Sequence, residues 1–415
     1  MSDRGRVPSD RASPAIRRDR ETVAMDDLPE RLRALPCGRR LLEAAAGLAG
    51  VHLVGGAVRD LLLGREPREL DVVVEGDVDA LAARLSGDGT YVVHERFGTA
   101  TVRRGECCWD LAAARGETYA RPGALPDVFA AGIEQDLERR DVSVNAMALD
   151  LATGRLRGAE YAEEDLRAGR LRVLHDASFR EDPTRLWRVA RYAARLGFDL
   201  EEHTAALAAK AVAGGALGSA SAPRIGNELR LALAEPDPIA ALEAAVALGL
   251  APWLAPDRAL AERAITLLPS GEGRRDLLVL AASLATHDDA LLADLEFTAA
   301  ERAVVRACAQ APALEDVQRA PSQLARALRG LPVEAVALAG ACGAPAPARR
   351  WLDELRHVGL QITGDDLRAA GIAEGPELGS RLRAVLDQRL DGALAEGRDA
   401  ELQAALQKRP GASPA

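Results

Sequence analysis

Two short runs rich in β-branched residues, Val51-His-Leu-Val54 and Leu70-Asp-Val-Val-Val74, enclose a Gly55-Gly56 turn and a helical stretch from Ala57 to Leu63. Strand, tight turn, short helix and second strand in so little chain commit this region to a packed mixed unit. The pattern continues downstream. Val78–Leu85 reads as a helix, and Tyr91–His94, Thr99–Arg103 and Cys107–Ala112 read as strands. A first helix is expected over Asp27–Leu48. After Leu171 the character changes: Pro and Gly punctuate Ala/Leu/Arg-rich segments of helical period, and no further strand is expected. The fold class is therefore α+β, a small mixed sheet with helices followed by a helical array, with the boundary near 155–175.

Composition narrows the functional classes. Apolar residues make up 48% of the chain but aromatics only 3%, so the core is built from Ala, Leu and Val, which favours helices. The net charge of −10 argues against indiscriminate binding of polyanions over the whole surface. Basic residues are almost all Arg, with Lys only at Lys210 and Lys408. The five cysteines (Cys37, Cys107, Cys108, Cys308, Cys342) show no C-x-x-C spacing and read as reduced thiols of a cytoplasmic protein. No apolar run is long enough to span a membrane. Residues 1–26 mix Arg, Asp, Ser and Pro without an apolar stretch and read as a disordered leader, and Pro410–Ala415 as a frayed end.

Three segments bear chemistry. At the Gly55-Gly56 turn, backbone N–H groups and a helix N-terminus can approach a phosphate, and Arg59 can add a charged fork. Glu69 and Asp71 stand two apart on a strand, so both carboxylates leave from one face. Hard oxygen ligands so placed suit Mg²⁺, and Asp110 on a later strand can join them. Read alone, the glycines are an ordinary turn; same-face acids on an apolar strand are harder to explain structurally. The second segment, Arg139-Arg140-Asp141-Val-Ser-Val-Asn145, offers cations for a triphosphate and polar groups for sugar hydroxyls; alone it reads as a solvated charge cluster. In the third, Asp182-Pro183 starts a helix that carries Arg185, Arg188, Arg191 and Arg195 on one stripe. Its core-facing side is Leu186, Val189, Ala190 and Ala193. Asp182 can be simply a cap and the arginines a wet face, yet four like charges on one stripe repel unless an anion receives them. From Arg139 to Arg195 there are 12 Arg and no Lys against 9 acids, so positive charge concentrates where a nucleotide site needs it.

In order, spacing and residue type, these motifs resemble those of class II tRNA nucleotidyltransferases, the family of CCA-, CC- and A-adding enzymes and bacterial poly(A) polymerases. The resemblance extends over about 51–235, through Ser221-Ala-Pro-Arg224-Ile-Gly-Asn-Glu228, and reappears at Ile362-Thr-Gly-Asp-Asp-Leu367. It implies a polymerase-β-like palm over 27–155 and a helical neck with base recognition over 156–250. A helical body and tail that bind RNA would then cover 251–408. It implies Mg²⁺ on Glu69 and Asp71, with Asp110 assisting catalysis. Gly55, Gly56, Arg59, Arg139, Arg140, Arg188 and Arg191 would grip the nucleotide, with Asp141 and Asn145 near its ribose. Asp182 and Arg185 would read the base edge in place of a template. The implied reaction is transfer of CMP and/or AMP from CTP or ATP to the 3′ end of tRNA, in the cytoplasm and without a membrane partner. Leu171-Arg-Val-Leu-His175 and Ser178-Phe179 are closer to A-adding and poly(A)-polymerase-like members. RNA 3′-adenylation of the poly(A) type, and a non-catalytic RNA-binding relative, are the rival readings.

Three departures from the family pattern stand out. Glu69 replaces the usual Asp, and its extra methylene displaces the carboxylate by roughly 1.5 Å. Catalytic sites tolerate about 0.5 Å, so either the strand compensates or the metal site is weakened. Leu156-Arg-Gly-Ala-Glu-Tyr-Ala162 stands where the family carries an Asp and glycines that serve as a hinge. His287-Asp288 is isolated and reads as loop rather than as a phosphohydrolase signature.

Overall fold

The computed structural model describes residues 27–87, 89–94, 98–314 and 320–407. The leader expected at 1–26 and the frayed end expected at Pro410–Ala415 lie outside the described residues. The chain divides into two compact units, residues up to Glu228 with Ala247–Leu250, and Leu229–Val246 with Ala251 onward.

The first unit is built on a seven-stranded mixed sheet. Its strands are β1 (Val51–Val54), β2 (Leu70–Val74), β3 (Thr90–His94), β4 (Thr99–Arg104), β5 (Cys107–Ala113), β8 (Met147–Asp150) and β9 (Leu156–Gly158), in the order β3-β4-β5-β2-β1-β8-β9. The β2–β5 pair is parallel, and the other pairs are antiparallel. A separate hairpin joins β6 (Arg115–Thr118) to β7 (Asp127–Ala130). Five strands match the expected runs within a residue or two. β8 and β9 were not anticipated: Met147–Leu149 is wholly buried and shows no alternation to mark a strand.

The helices are α1 (Leu28–Ala34), α2 (Pro36–Ala45), α3 (Gly56–Leu62), α4 (Val78–Ser86), α5 (Ile133–Glu138), α6 (Ala162–Ala168), α7 (Ser178–Glu181), α8 (Thr184–Leu196), α9 (Glu202–Ala213) and α10 (Ala222–Leu233). The single helix expected over Asp27–Leu48 is two. Pro36 forces Leu35 into an extended conformation (ψ 132°) and opens α2 as its first residue. A two-residue parallel pair joins β10 (Arg170–Leu171) to β11 (Asp199–Leu200), and β11 lies beyond Leu171, after which no strand was expected.

One face of the sheet is packed under α2 and α4, and the other is packed at β1, β2 and β8, where Val54, Val73 and Ala148 meet Ile133 and Leu137 of α5. On the first face Leu70, Val72, Ala100, Val102, Trp109 and Leu111 are buried, under Leu81, Ala82 and Leu85 of α4 and Leu41 of α2. The Trp109 indole N–H donates to the Cys37 carbonyl at 3.2 Å. Cys37 and Cys107 are joined in a disulfide, against the expectation that all five cysteines are reduced; Cys108, Cys308 and Cys342 are free.

In the second unit, helices Arg258–Leu267, Arg275–Ser283, Ala299–Ala309 and Val333–Ala341 pack on one another. A terminal cluster around Ile362, Leu367, Val385 and Ala405 gathers the last three helices. Asp288 caps the helix Asp289–Asp294, accepting from the N–H groups of Ala290 and Leu291, so the His287-Asp288 pair is local structure. Among the described residues no helix is long and apolar enough to cross a membrane.

Candidate active site

The pairing of β2 with β5 sets Asp71 directly beside Asp110. Glu69 precedes β2 on the same face, and one ligand oxygen from each of Glu69, Asp71 and Asp110 lies within 4.8 Å of the others. The longer Glu69 side chain therefore still reaches the cluster. Asp110 Oδ1 accepts from Thr101 Oγ1 at 2.7 Å. Burial raises the Asp71 carboxyl above its ordinary value; Arg140 opposes this, and the charges of Glu69 and Asp110 add to the rise. Three oxygen donors that repel one another fit a hard divalent cation.

Asp71 also belongs to the wall of a polar cleft of about 450 Å³, lined by Gly55, Gly56, Arg139, Arg140, Asp141, Asn145, Asp182, Arg185 and Arg188 among others. Ten of the fourteen residues proposed from sequence thus line one cleft, and Glu69 and Asp110 stand at Asp71 beside it.

The remaining two, Arg59 and Arg191, are buried. Arg59 donates to Asn145 Oδ1 at 2.6 Å and to Asp60 at 2.9 Å, so it orients Asn145 rather than presenting a fork to the cleft. Arg191 donates to Glu228 Oε2 at 3.2 Å. Gly55 also acts differently from expectation. The Gly55 N–H is bonded to the Met147 carbonyl at 3.0 Å and is not a spare phosphate donor. What Gly55 provides is room: with φ 69°, a Cβ there would lie 2.8 Å from Arg140 Nη1.

The cationic wall is extensively cross-tied. Asp141 Oδ2 accepts from Arg188 Nε at 2.8 Å and pairs with Nη2 at 2.6 Å, while Oδ1 accepts from the Val142 N–H and from Asn145 Nδ2. Burial alone would raise the Asp141 carboxyl; Arg188, with Asn145 and Arg185, reverses this and holds it far below the ordinary carboxylate range. Arg185 donates to Ser178 Oγ at 2.8 Å and to the Arg139 carbonyl at 2.7 Å. Asp182 Oδ1 accepts from the Thr184 N–H, from Thr184 Oγ1 and from Arg224 Nη2 at 2.7 Å. Three guanidinium groups, of Arg188, Arg191 and Arg195, lie 5.3 to 5.8 Å from the Tyr192 ring. The arginine stripe is thus an interior face, with Arg185 and Arg191 buried, rather than a wet one. Leu186, Val189 and Ala190 are buried on the other side, as expected; Ala193 is half-buried.

Four partners were not singled out from sequence. Asp136, fully buried, receives Arg139 Nη2 at 2.6 Å and Arg140 Nη2 at 3.0 Å. Its spacing of three and four residues before the arginines on α5 was a readable signal. Glu117 pairs with Arg139 at 2.9 Å, Glu228 with Arg191, and Arg224 with Asp182. These come from remote parts of the chain; Arg224 and Glu228 belong to the Ser221–Glu228 segment that carries the resemblance, but their partners could not be read from it. The segment 156–162 forms β9 and a bend in which Tyr161 holds φ 65°, a left-handed position that glycine favours, with Arg172 stacked 4.5 Å over its ring.

Residues 51–172 match the poly(A) polymerase head domain family. An A-adding tRNA nucleotidyltransferase of Geobacter sulfurreducens is 35% identical over 399 residues, 86% of this chain and 45% of that protein. The chain spans about half or less of the length of the A-adding relatives it matches. A CC-adding tRNA nucleotidyltransferase of Deinococcus radiodurans is 34% identical over 374 residues, 87% of this chain and 90% of the relative. The structure of a Thermotoga maritima CCA-adding enzyme complexed with tRNA superposes with a TM-score of 0.70 at 27% identity, covering 91% of this chain and 98% of that one.

Proposed function

Because the chain belongs to the tRNA nucleotidyltransferase family, we propose that it transfers CMP and/or AMP from CTP or ATP to the 3′ end of tRNA without a template. The observation that carries this reading is Asp71, which belongs both to the three-acid cluster and to the arginine-walled cleft. Acceptor and nucleotide chemistry therefore meet at one side chain.

Glu69, Asp71 and Asp110 would hold the cation. When bound, Mg²⁺ supplies charge neutralisation for the triphosphate and lowers the pKa of the attacking hydroxyl. The RNA 3′-hydroxyl releases its proton to solvent as its oxygen bonds to the α-phosphorus, the bond from that phosphorus to the bridging oxygen breaks, and pyrophosphate leaves with that oxygen. Arg139, Arg140 and Arg188 face the cleft and would receive the triphosphate. Arg59 and Arg191 act from behind, by orienting Asn145 and Glu228. Asp141 and Asn145 are placed for the ribose. Asp182, with Oδ1 engaged three times, keeps Oδ2 for an exocyclic amine. Arg185 has two of its five N–H groups committed and keeps others for a ring nitrogen or carbonyl. On the Watson–Crick edge cytosine and adenine each offer an amine beside a ring-nitrogen acceptor; the guanine amine is flanked there by the N1–H donor, and uracil has no amine.

In functional terms we assign 27–155 to the palm, 156–250 to the neck and 251–408 to an RNA-binding body and tail, acting in the cytoplasm. The intact acid cluster favours catalysis over the non-catalytic RNA-binding reading. The test is incubation with tRNA ending before CCA, at C or at CC, with each NTP separately and Mg²⁺. The expected result is Mg²⁺-dependent incorporation of C, of A, or of both. Poly(A) synthesis would show as long A tracts on any RNA end. No incorporation on any acceptor would overturn the proposal.

A further inference from the structure

The arginine wall is aimed from α5, and α5 is too short to hold itself. Its six residues, Ile133–Glu138, make few helical hydrogen bonds of their own, and Gly132 before them offers no side-chain cap. What secures its first turn comes from the sheet. Glu75 follows β2, and one of its carboxylate oxygens accepts from the Ile133 N–H at 2.9 Å while the other pairs with His52 Nε2 at 2.9 Å. Burial would raise the Glu75 carboxyl, but the hydrogen bonds from His52 and the Ile133 N–H outweigh it and hold it below its ordinary value. An ionised carboxylate only accepts, so the His52 proton sits on Nε2. His52 lies on β1 and is 1% exposed. The Glu75 backbone is held too, since its N–H donates to the Gly50 carbonyl at 2.8 Å. The result is a fixed anion at a helix start, where the backbone dipoles favour one.

From this anchor to the cleft the path is short. Ile133 and Leu137 of α5 share a core cluster with Val73 of β2. Between them the buried Asp136 receives Arg139 Nη2 at 2.6 Å and Arg140 Nη2 at 3.0 Å, and both arginines line the cleft. Asp71 precedes Glu75 on the same face of the strand, roughly 13 Å away. One strand therefore bears an acid at the site and ends in the group that seats the helix behind the arginines. Neither Glu75 nor His52 lines the cleft, so they act on it through α5. We propose that Glu75, oriented by His52, is a positioning residue for the reaction: it seats α5 so that Asp136 aims Arg139 and Arg140 at the triphosphate. The inference rests on the functional reading above and names the group that sets the arginines in register with the acids.

The experiment uses a tRNA transcript lacking its 3′-terminal nucleotides, the full chain, and the variants Glu75→Asp and Glu75→Gln. The first keeps the charge but withdraws the carboxylate by roughly 1.5 Å. The second keeps the reach, an acceptor for the Ile133 N–H and an amide for His52. Glu75→Asp is expected to raise KM for the nucleotide roughly tenfold, as loss of one charge-assisted hydrogen bond does, with KM for the RNA unmoved. Inhibition by inorganic triphosphate, which samples the arginines without a base, should weaken by the same factor. Glu75→Gln should behave as wild type. Unaltered nucleotide KM and triphosphate inhibition in Glu75→Asp would overturn the proposal, even if its urea midpoint fell. A KM for the RNA that rises in step would mean a general loosening and overturn it as well. A loss in Glu75→Gln equal to that in Glu75→Asp would show that charge rather than reach matters, and the anchor would fail. If wild type incorporates nothing, the functional reading fails, and calorimetric binding of inorganic triphosphate by the three proteins decides the anchor by itself.

Discussion

The two halves of the cleft treat charge in opposite ways. On the arginine side nearly every cation already has an anion: Arg188 holds Asp141, Arg191 holds Glu228, and Arg139 and Arg140 share Asp136. On the acid side Glu69, Asp71 and Asp110 face one another, and Arg140 is the cation that bears on Asp71. The first half is preorganised and contributes to folding. The second stores repulsion that a bound cation relieves, and contributes to folding only when occupied. Substitutions should therefore separate the two, with activity lost on one side and stability on the other.

The largest effect is expected at Asp71. Asp71→Ala should lower nucleotide incorporation by roughly a thousandfold, about 4 kcal/mol of transition-state stabilisation. Urea denaturation without Mg²⁺ should show unchanged or slightly higher stability, since the substitution removes a carboxylate held against two others. Unchanged incorporation would remove Asp71 from the mechanism. Marked destabilisation would mean that the acid side is structural too.

Asp141→Asn is the reciprocal case. The side chain keeps its shape and its acceptor for the Val142 N–H but loses the charge that Arg188 pairs with at 2.6 Å. Asp141 is buried but the Arg188 side chain is 35% exposed to the cleft, so water partly compensates the guanidinium left without its partner, and a loss of about 2 kcal/mol is expected by urea denaturation. A shift no larger than that of Asp71→Ala would abolish the distinction between the halves.

The same contrast explains what could be read from sequence. Strands β1 and β2 were legible from their β-branched runs, and β4 and β5 from alternation, since one face of each is packed and the other is more exposed. The acid cluster was legible because its residues stand on those strands at fixed parity. β8 is buried over Met147–Leu149 and carries no alternation, and in β7 all four residues are exposed, so neither left a periodic trace. On the arginine side the residue types were readable but their roles were not. Whether Arg59 faces a ligand or a neighbour depends on Asn145, far along the chain, which captures it at 2.6 Å. The split of the first helix was readable at Pro36, whose restriction on Leu35 is a local rule. The bend at Tyr161 was not, because nothing in a tyrosine announces a positive φ.

The smallest effect is the pH dependence of stability. Asp141 has a depressed carboxyl, because Arg188 and its other partners outweigh burial. Its contribution is therefore present above the ordinary value of 3.8 and is lost as pH falls through the folded value below it. Asp71 is raised, by burial and by Glu69 and Asp110, so it binds its proton more tightly folded than unfolded. Its unfavourable contribution accordingly appears as pH rises from 3.8 through the folded value. Urea midpoints in EDTA, compared between wild type and Asp71→Asn and between wild type and Asp141→Asn, should give pH trends of opposite sign. Mg²⁺ should flatten the Asp71 trend, because a cation on the cluster removes the reason for the raised carboxyl, and should leave the Asp141 trend in place. Trends of the same sign, or an Asp71 trend indifferent to Mg²⁺, would mean that the acids are neutralised from within the protein, and the two halves of the cleft would then be built alike.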